Sequence, residues 1–160
     1  MALPSLVGLS TEQLAEVVVG LGAEPYRGRQ LAQALYQSGA TDVEDVSVLP
    51  AELRRRLAAA YRAHPLEVKQ RAEASDGVVK LLVHRGDGLA FESVLLPFPE
   101  RVGCCLSSQV GCPMACTFCA TGLAGFERNL DASEIVAQFL LLQQCSPRRI
   151  SHAVFMGMGE

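Results

Sequence analysis

The side chains best suited to chemistry lie together in Cys112-Pro113-Met114-Ala115-Cys116-Thr117-Phe118-Cys119, a C-x3-C-x2-C pattern. Spacings this short let one loop wrap three thiolates around a single centre. A structural zinc site closes with a fourth protein ligand and takes its cysteines in pairs two to four residues apart. A ferredoxin-type cluster site also uses four cysteines. Three thiols with no evident fourth suggest an iron–sulfur cluster with one iron open to a small molecule. The competing reading is zinc, with Cys145 or His152 completing the site. All six cysteines fall between Cys104 and Cys145, whereas a disulfide scaffold would spread them along the chain. The N-terminus has no basic stretch, and Pro4, Glu12 and Glu16 interrupt any apolar one, so no secretory signal is visible. Clustered thiols without such a signal point to a reducing compartment, the cytoplasm, and to metal binding or catalysis.

The elements that must position these residues can be read from periodicity and punctuation. Residues 5–63 read as helical. Ser10-Thr11-Glu12-Gln13 is a capping box, followed by Leu14, Val17, Val18 and Leu21 at helical spacing. A second helix is expected over Tyr26–Ser38, with Leu31, Ala34 and Leu35 inward and Gly39 ending it. A third starts at Pro50, with Leu53, Leu57 and Tyr61 as its buried stripe. Residues 66–97 switch to period two. Asp76-Gly77 and Gly86-Asp87-Gly88 separate runs that read as hairpin-linked strands, and Pro97 and Pro99 mark a linker. Cys104–Val110 is expected as a strand and 111–121 as a loop. Asp131-Ala132-Ser133-Glu134 caps a helix whose apolar side includes Ile135, Phe139 and Leu142, and Ile150–Met156 is strand-like. Strand, loop, helix, strand is a βαβ unit and implies a parallel sheet or barrel. The fold class is therefore α/β, with three regions: 1–64 helical, 65–97 a β-hairpin adaptor, and 98–160 the chemical core.

With the cysteine loop placed, a family resemblance emerges. The C-x3-C-x-aromatic-C loop, with Phe118 as the aromatic, resembles the signature of radical S-adenosylmethionine (SAM) enzymes. Three further segments narrow the likeness: Cys105-Leu106-Ser107-Ser108-Gln109-Val110-Gly111-Cys112, then Gly125-Phe126-Glu127-Arg128-Asn129-Leu130 with Ser133-Glu134-Ile135, then Met156-Gly157-Met158-Gly159-Glu160. Together they look like the RlmN-type RNA adenine C2-methyltransferases. A weaker likeness extends over Glu92–Pro97 and the N-terminal helices.

The resemblance implies a partial (β/α)6 radical-SAM barrel, of which this chain would supply only the opening unit. It implies that Cys112, Cys116 and Cys119 ligate a [4Fe–4S] cluster whose open iron takes the amino and carboxylate groups of SAM. Gly159 and Glu160 match the family's SAM-binding segment, where glycine admits close backbone approach and an acid can hold the ammonium. Family members methylate C2 of adenine in 23S rRNA, and in tRNA for the dual-specificity enzymes, drawing electrons from a donor protein such as flavodoxin. A cysteine late in the chain carries the methyl group, and a second cysteine resolves the protein–RNA adduct by forming a disulfide. Cys105 matches the resolving position and Glu92 the proton acceptor. Cys104 has no family role and reads as a small buried residue.

Composition sets the outer bounds. The 160 residues are 49% apolar and 19% charged, with 14 Lys and Arg against 17 Asp and Glu and a net charge of −3. That suits a globular chain with a core and predicts neither disorder nor a nucleic-acid partner. No apolar run approaches the roughly 20 residues of a spanning helix. Arg54-Arg55-Arg56, Arg27 and Arg29 could meet phosphates. By charge alone they read as a solvated face, because Glu12, Glu16, Asp42, Glu44, Asp45 and Glu52 offset them. A full barrel runs to about 250 residues, so the chain is expected to be an N-terminal fragment of a methyltransferase, lacking the methyl-carrying cysteine and inactive alone. Two rival readings are a non-catalytic RNA-binding module and a small zinc-binding protein.

Overall fold

The structure is a computed structural model that describes residues 3–159. Two compact units divide the chain, Met1–Pro65 and Leu66–Glu160.

In the first unit three helices surround an apolar core. α1 (Thr11–Gly20) opens on the expected capping box: Gln13 N–H donates to Ser10 Oγ at 3.3 Å, and Ser10 N–H to Gln13 Oε1 at 2.8 Å. α2 (Tyr26–Tyr36) ends two residues before Ser38, the expected terminus. There Ser38 N–H bonds Gln33 O, Ala40 N–H bonds Ala34 O, and Gly39 turns the chain. α1 and α2 touch backbone to backbone, since a Cβ on Gly28 would lie 2.4 Å from Ala15 Cα. α3 (Ala51–Ala60) follows Pro50. Tyr61 was expected on the buried stripe of α3 but is an extended, half-buried residue past its end, because the chain there runs into a parallel bridge between Ser5 and Arg62. Leu6, Leu14, Val18, Leu31, Leu35 and Leu57 are all sealed from solvent.

The second unit is built on a five-stranded sheet. β1 (Glu67–Glu73), β2 (Val79–His84) and β3 (Ala90–Pro97) form the expected meander, β4 (Val102–Cys105) adds antiparallel to β3, and β7 (His152–Val154) runs parallel to β4. The crossover between β4 and β7 contains α5 (Ala132–Cys145), which packs on β3. The hairpin strands and the opening of the βαβ unit thus share one sheet.

Two expectations change here. The strand expected over Cys104–Val110 is two strands, β4 and the separate β5 (Gln109–Gly111). The chain breaks because Ser107 and Ser108 turn their backbone N–H groups to Gln138 Oε1 and Met158 O instead of a ladder partner. β5 pairs with β6 (Phe126–Asn129), a strand the sequence pattern does not announce, and a short α4 (Ala120–Ala124) lies between them. The inner face of α5 also differs. Ala137, Leu140, Leu141 and Leu142 are buried together with Glu134 and Gln138, while Ile135 and Phe139 are only half-buried. Among the described residues no helix is long and apolar enough to cross a membrane.

Candidate functional site

Strand alternation decides between the two adjacent cysteines. On one face of the sheet Leu81 lies opposite Ser93 and Leu95 opposite Cys104, and all four are buried. On the other face Leu82 lies opposite Glu92, Val94 opposite Cys105, and Cys105 beside Val154, all half-buried. Glu92 is two residues from Val94, so Glu92 and Cys105 are diagonal neighbours on the half-open face. Burial, with the neighbouring Cys105, pushes the Cys104 thiol up to about 11. Cys104 is thereby a buried core residue, and Cys105 shares the half-open face with Glu92. Lys80 Nζ stands 3.0 Å from Glu92 Oε1, in an ion pair about half exposed on both sides.

The cysteine loop hangs from the β5–β6 ribbon. Its base closes where Cys112 N–H donates to Gly125 O at 2.9 Å. Gly111 permits that closure. It sits at φ +74°, and a Cβ there would overlap Gly125 O at 2.0 Å. Ala115 takes a left-handed φ of 50° between the first two thiols, and Cys119 N–H closes a turn onto Cys116 O at 3.0 Å. Cys112 is buried, Cys116 and Cys119 are half-buried, and Phe118 projects 91% exposed. Among the described residues no three of His, Cys, Asp and Glu converge as ligands of one metal ion do. Thiolates around a multi-iron cluster each bind a different iron, so they need not converge so tightly. A donor set of three soft sulfurs on one loop suits iron–sulfur ligation. Cys145 lies at the end of α5 and His152 in β7, next to Gly103 and stacked on Phe98.

The glycine segment is stitched to the serine pair some fifty residues earlier. Ser108 and Gln109 N–H groups both donate to Met158 O, Met158 N–H donates to Ser107 Oγ at 2.9 Å, and Ser108 Oγ donates to Gly159 O at 3.1 Å. Gly159 sits at φ +100°, and a Cβ there would lie 2.6 Å from both Ser108 Oγ and Gln109 Cγ. The space this glycine leaves is therefore taken up by the protein's own serine–glutamine segment. Glu160, the second residue expected to bind SAM, lies outside the described residues.

Ser107 is the residue that sequence reasoning missed. It is sealed from solvent. Its hydroxyl donates to Glu92 O at 2.6 Å while accepting from Met158, and its backbone N–H and C=O both pair with the Gln138 amide. One residue thus ties the Glu92 strand and the glycine segment, through its hydroxyl, to α5, through its backbone. A small polar residue repeated beside cysteine was the available signal, but it names no partner.

The arginines of the helical unit are largely spent on holding that unit. Arg54 donates to Glu44 O, Arg56 to Leu21 O at 3.1 Å and Glu52 at 3.0 Å, and Arg55 pairs with Glu52. Arg27 bonds Gln30 and Val48 O and lies over the Tyr26 ring. The arrangement favours neither a bare basic patch nor a merely solvated face.

Residues 5–62 match the family described as "Ribosomal RNA large subunit methyltransferase N-terminal domain". A probable dual-specificity RNA methyltransferase RlmN of Synechococcus sp. (strain RCC307) is 49% identical across 100% of this chain and 46% of its own length. Its counterpart in Thermosynechococcus vestitus is 46% identical over 97% of the chain and 46% of its own length. The crystal structure of a radical SAM methyltransferase from Sphaerobacter thermophilus superposes with a TM-score of 0.93 at 37% identity, covering 98% of this chain and 47% of that one. The chain spans just under half the length of these relatives. Its sequence is thus matched nearly end to end, and its fold as closely, by just under half of an RlmN-type radical SAM RNA methyltransferase.

Proposed function

We propose that this chain supplies the cluster-binding loop, the resolving thiol, the proton acceptor and part of the SAM site of a dual-specificity methyltransferase acting on C2 of adenine in 23S rRNA and tRNA. The observation that carries the reading is the C-x3-C-x2-C loop hung from a ribbon whose first strand is bonded directly to the glycine segment. Cys112, Cys116 and Cys119 would hold the [4Fe–4S] cluster, and Gly159 and Glu160 belong to the segment that would bind SAM. Bound together, cluster and SAM supply one-electron reductive cleavage of the SAM sulfonium, the source of the organic radical. Cys105 on the half-open face takes the resolving role. Glu92, diagonal to it, accepts the proton released from the adduct carbon, and Lys80 keeps the carboxylate facing that side. The helical unit carries the family's N-terminal domain and binds RNA. A flavodoxin-like protein delivers the electrons, in the cytoplasm.

Anaerobic reconstitution with iron and sulfide tests the central claim. About four irons per chain, a visible chromophore and a reduced EPR signal are expected, all lost when the three cysteines become Ala. Stoichiometric zinc without a chromophore overturns it. RNA binding by the chain should weaken steeply with salt, and absence of binding at low salt removes the RNA role.

A further inference from the structure

The tightest polar cluster of the second unit lies outside the residues assigned above. Glu134 is completely buried, yet it is charged by type and placed on the inner face of α5. Its two oxygens accept from Arg128 Nη2 at 2.7 Å and Nη1 at 2.8 Å, and one also accepts from Asp131 N–H at 2.9 Å. Arg128 is the middle of the cluster. Its Nε and Nη2 donate to Asp87 Oδ2 at 3.2 and 2.7 Å, and its Nη1 also donates to Asn129 O at 3.1 Å. All five guanidinium N–H donors are thereby used, in the planar fork geometry that only arginine offers. Arg85 adds a second link from the same region by donating to the Asp131 carboxylate.

The chain positions of these partners give the cluster its meaning. Asp87 lies in the turn between β2 and β3, Arg128 in β6, and Glu134 in α5. Arg128 is the register partner of Val110, two residues before Cys112. The cysteine loop leaves the β5–β6 ribbon at Gly111 and returns at Gly125 and Phe126, so fixing Arg128 fixes both ends of the loop. Among the described residues the ribbon is a separate two-stranded sheet with no ladder to the five-stranded one. Its β5 strand is tethered to the glycine segment at Gln109, and Arg128 anchors the other strand.

We infer that the β2–β3 turn, acting through Asp87 and Arg128, is a positioning strut for the cluster-binding loop. The inference deepens the reading of Cys112, Cys116 and Cys119 as iron ligands and rests on it. Arg128 and Asp87 are positioning residues, since they act through the strand that carries the first thiol. Groups bonded directly to a metal ligand are worth roughly 10- to 100-fold in metal affinity, and a strut acting one strand away is expected at the low end of that range.

The test compares the full 160-residue wild type with Asp87→Asn and Arg128→Lys, each reconstituted anaerobically and then challenged with a chelator. Asp87→Asn keeps an oxygen for the Leu89 N–H that Asp87 now accepts at 3.1 Å, and it replaces the oxygen that accepts from Arg128 with an amide NH2, which cannot accept. Both variants are expected to lose iron about tenfold faster than wild type at a temperature where circular dichroism shows them equally folded. Their reduced EPR signals should broaden, and the double variant should be no worse than Arg128→Lys because one link is being cut twice. A wild type that holds iron beside an Asp87→Asn chain that holds it equally well, with an unchanged EPR signal, overturns the strut alone. A wild type that takes up no iron overturns the ligand assignment, and the strut with it.

Discussion

The two units of this chain bury different things. Among the described residues the helical unit buries apolar side chains, and all four buried polar side chains, Ser93, Ser107, Glu134 and Gln138, lie in the second unit. The helical core can therefore be held by area and shape alone. In the second unit three of the four polar groups meet directed partners: Ser107 Oγ pairs with Glu92 O and Met158 N–H, Gln138 holds the Ser107 backbone, and Glu134 holds Arg128. Apolar burial is non-directional, and a half-paired buried polar network is worse than none. Polar burial thus appears where strands must meet a loop and a glycine segment in one arrangement, and is absent where three helices need only pack.

The sharpest way to break this contrast is Glu134→Ala. It leaves two Arg128 N–H donors and the Asp131 N–H without their acceptor, while Asp87 still holds the guanidinium. Leaving buried donors without an acceptor costs about 1–3 kcal/mol each, more where a charge is involved. Urea unfolding of the variant should show a loss of that size, and a loss under about 1 kcal/mol would mean the network is ornamental. In the helical unit the largest comparable effect is steric. Gly28→Ala places a methyl group 2.4 Å from Ala15 Cα, where only backbone can give way. Overpacking of this kind costs about 1–3 kcal/mol, and an unchanged unfolding midpoint would refute the close crossing of α1 and α2.

Ser107→Ala comes next and probes the second unit at its hub. It deprives Met158 N–H of its acceptor and frees Glu92 O from its donor. A buried group left unpaired costs about 1–3 kcal/mol. The variant should also expose the glycine segment, so amide exchange at Met158 should rise well above wild type. Protection kept at the wild-type level would show that Ser107 is not what holds the segment.

These partners explain how much could be read in advance. Signals confined to a few neighbouring residues were legible: the Ser10–Gln13 and Asp131–Glu134 capping boxes, the Asp76-Gly77 turn and the spacing of Cys112, Cys116 and Cys119. Each is a local geometry with a local partner. What escaped depends on distant partners. The break at Ser107 is set by Gln138 and Met158, and β6 exists because Gly125 folds Arg128 back onto Val110. Glu134 shows both sides at once. Its cap to Asp131 was visible in the sequence, and its bond to Arg128, six residues earlier on another element, was not.

The smallest expected effect is on pH dependence and again separates network from packing. Burial works against ionisation of Asp87, yet hydrogen bonds from Arg128 and the Leu89 N–H outweigh it and hold the carboxyl below its ordinary value. Asp131 behaves alike, with burial outweighed by Ser133, the Glu134 N–H and Arg85. A folded-state pKa below the unfolded one, about 3.9 for Asp, adds stability that is fully present above the unfolded value and lost as pH falls through the folded one. Both side chains are a third to a half exposed, so solvent screening keeps the effect modest. Urea midpoints should hold level from pH 7 to about pH 5 and fall below about pH 4. Asp87→Asn should remove part of that acid sensitivity. An identical acid profile in wild type and Asp87→Asn would show that the turn and Arg128 are not electrostatically joined, leaving Glu134 alone to hold the ribbon.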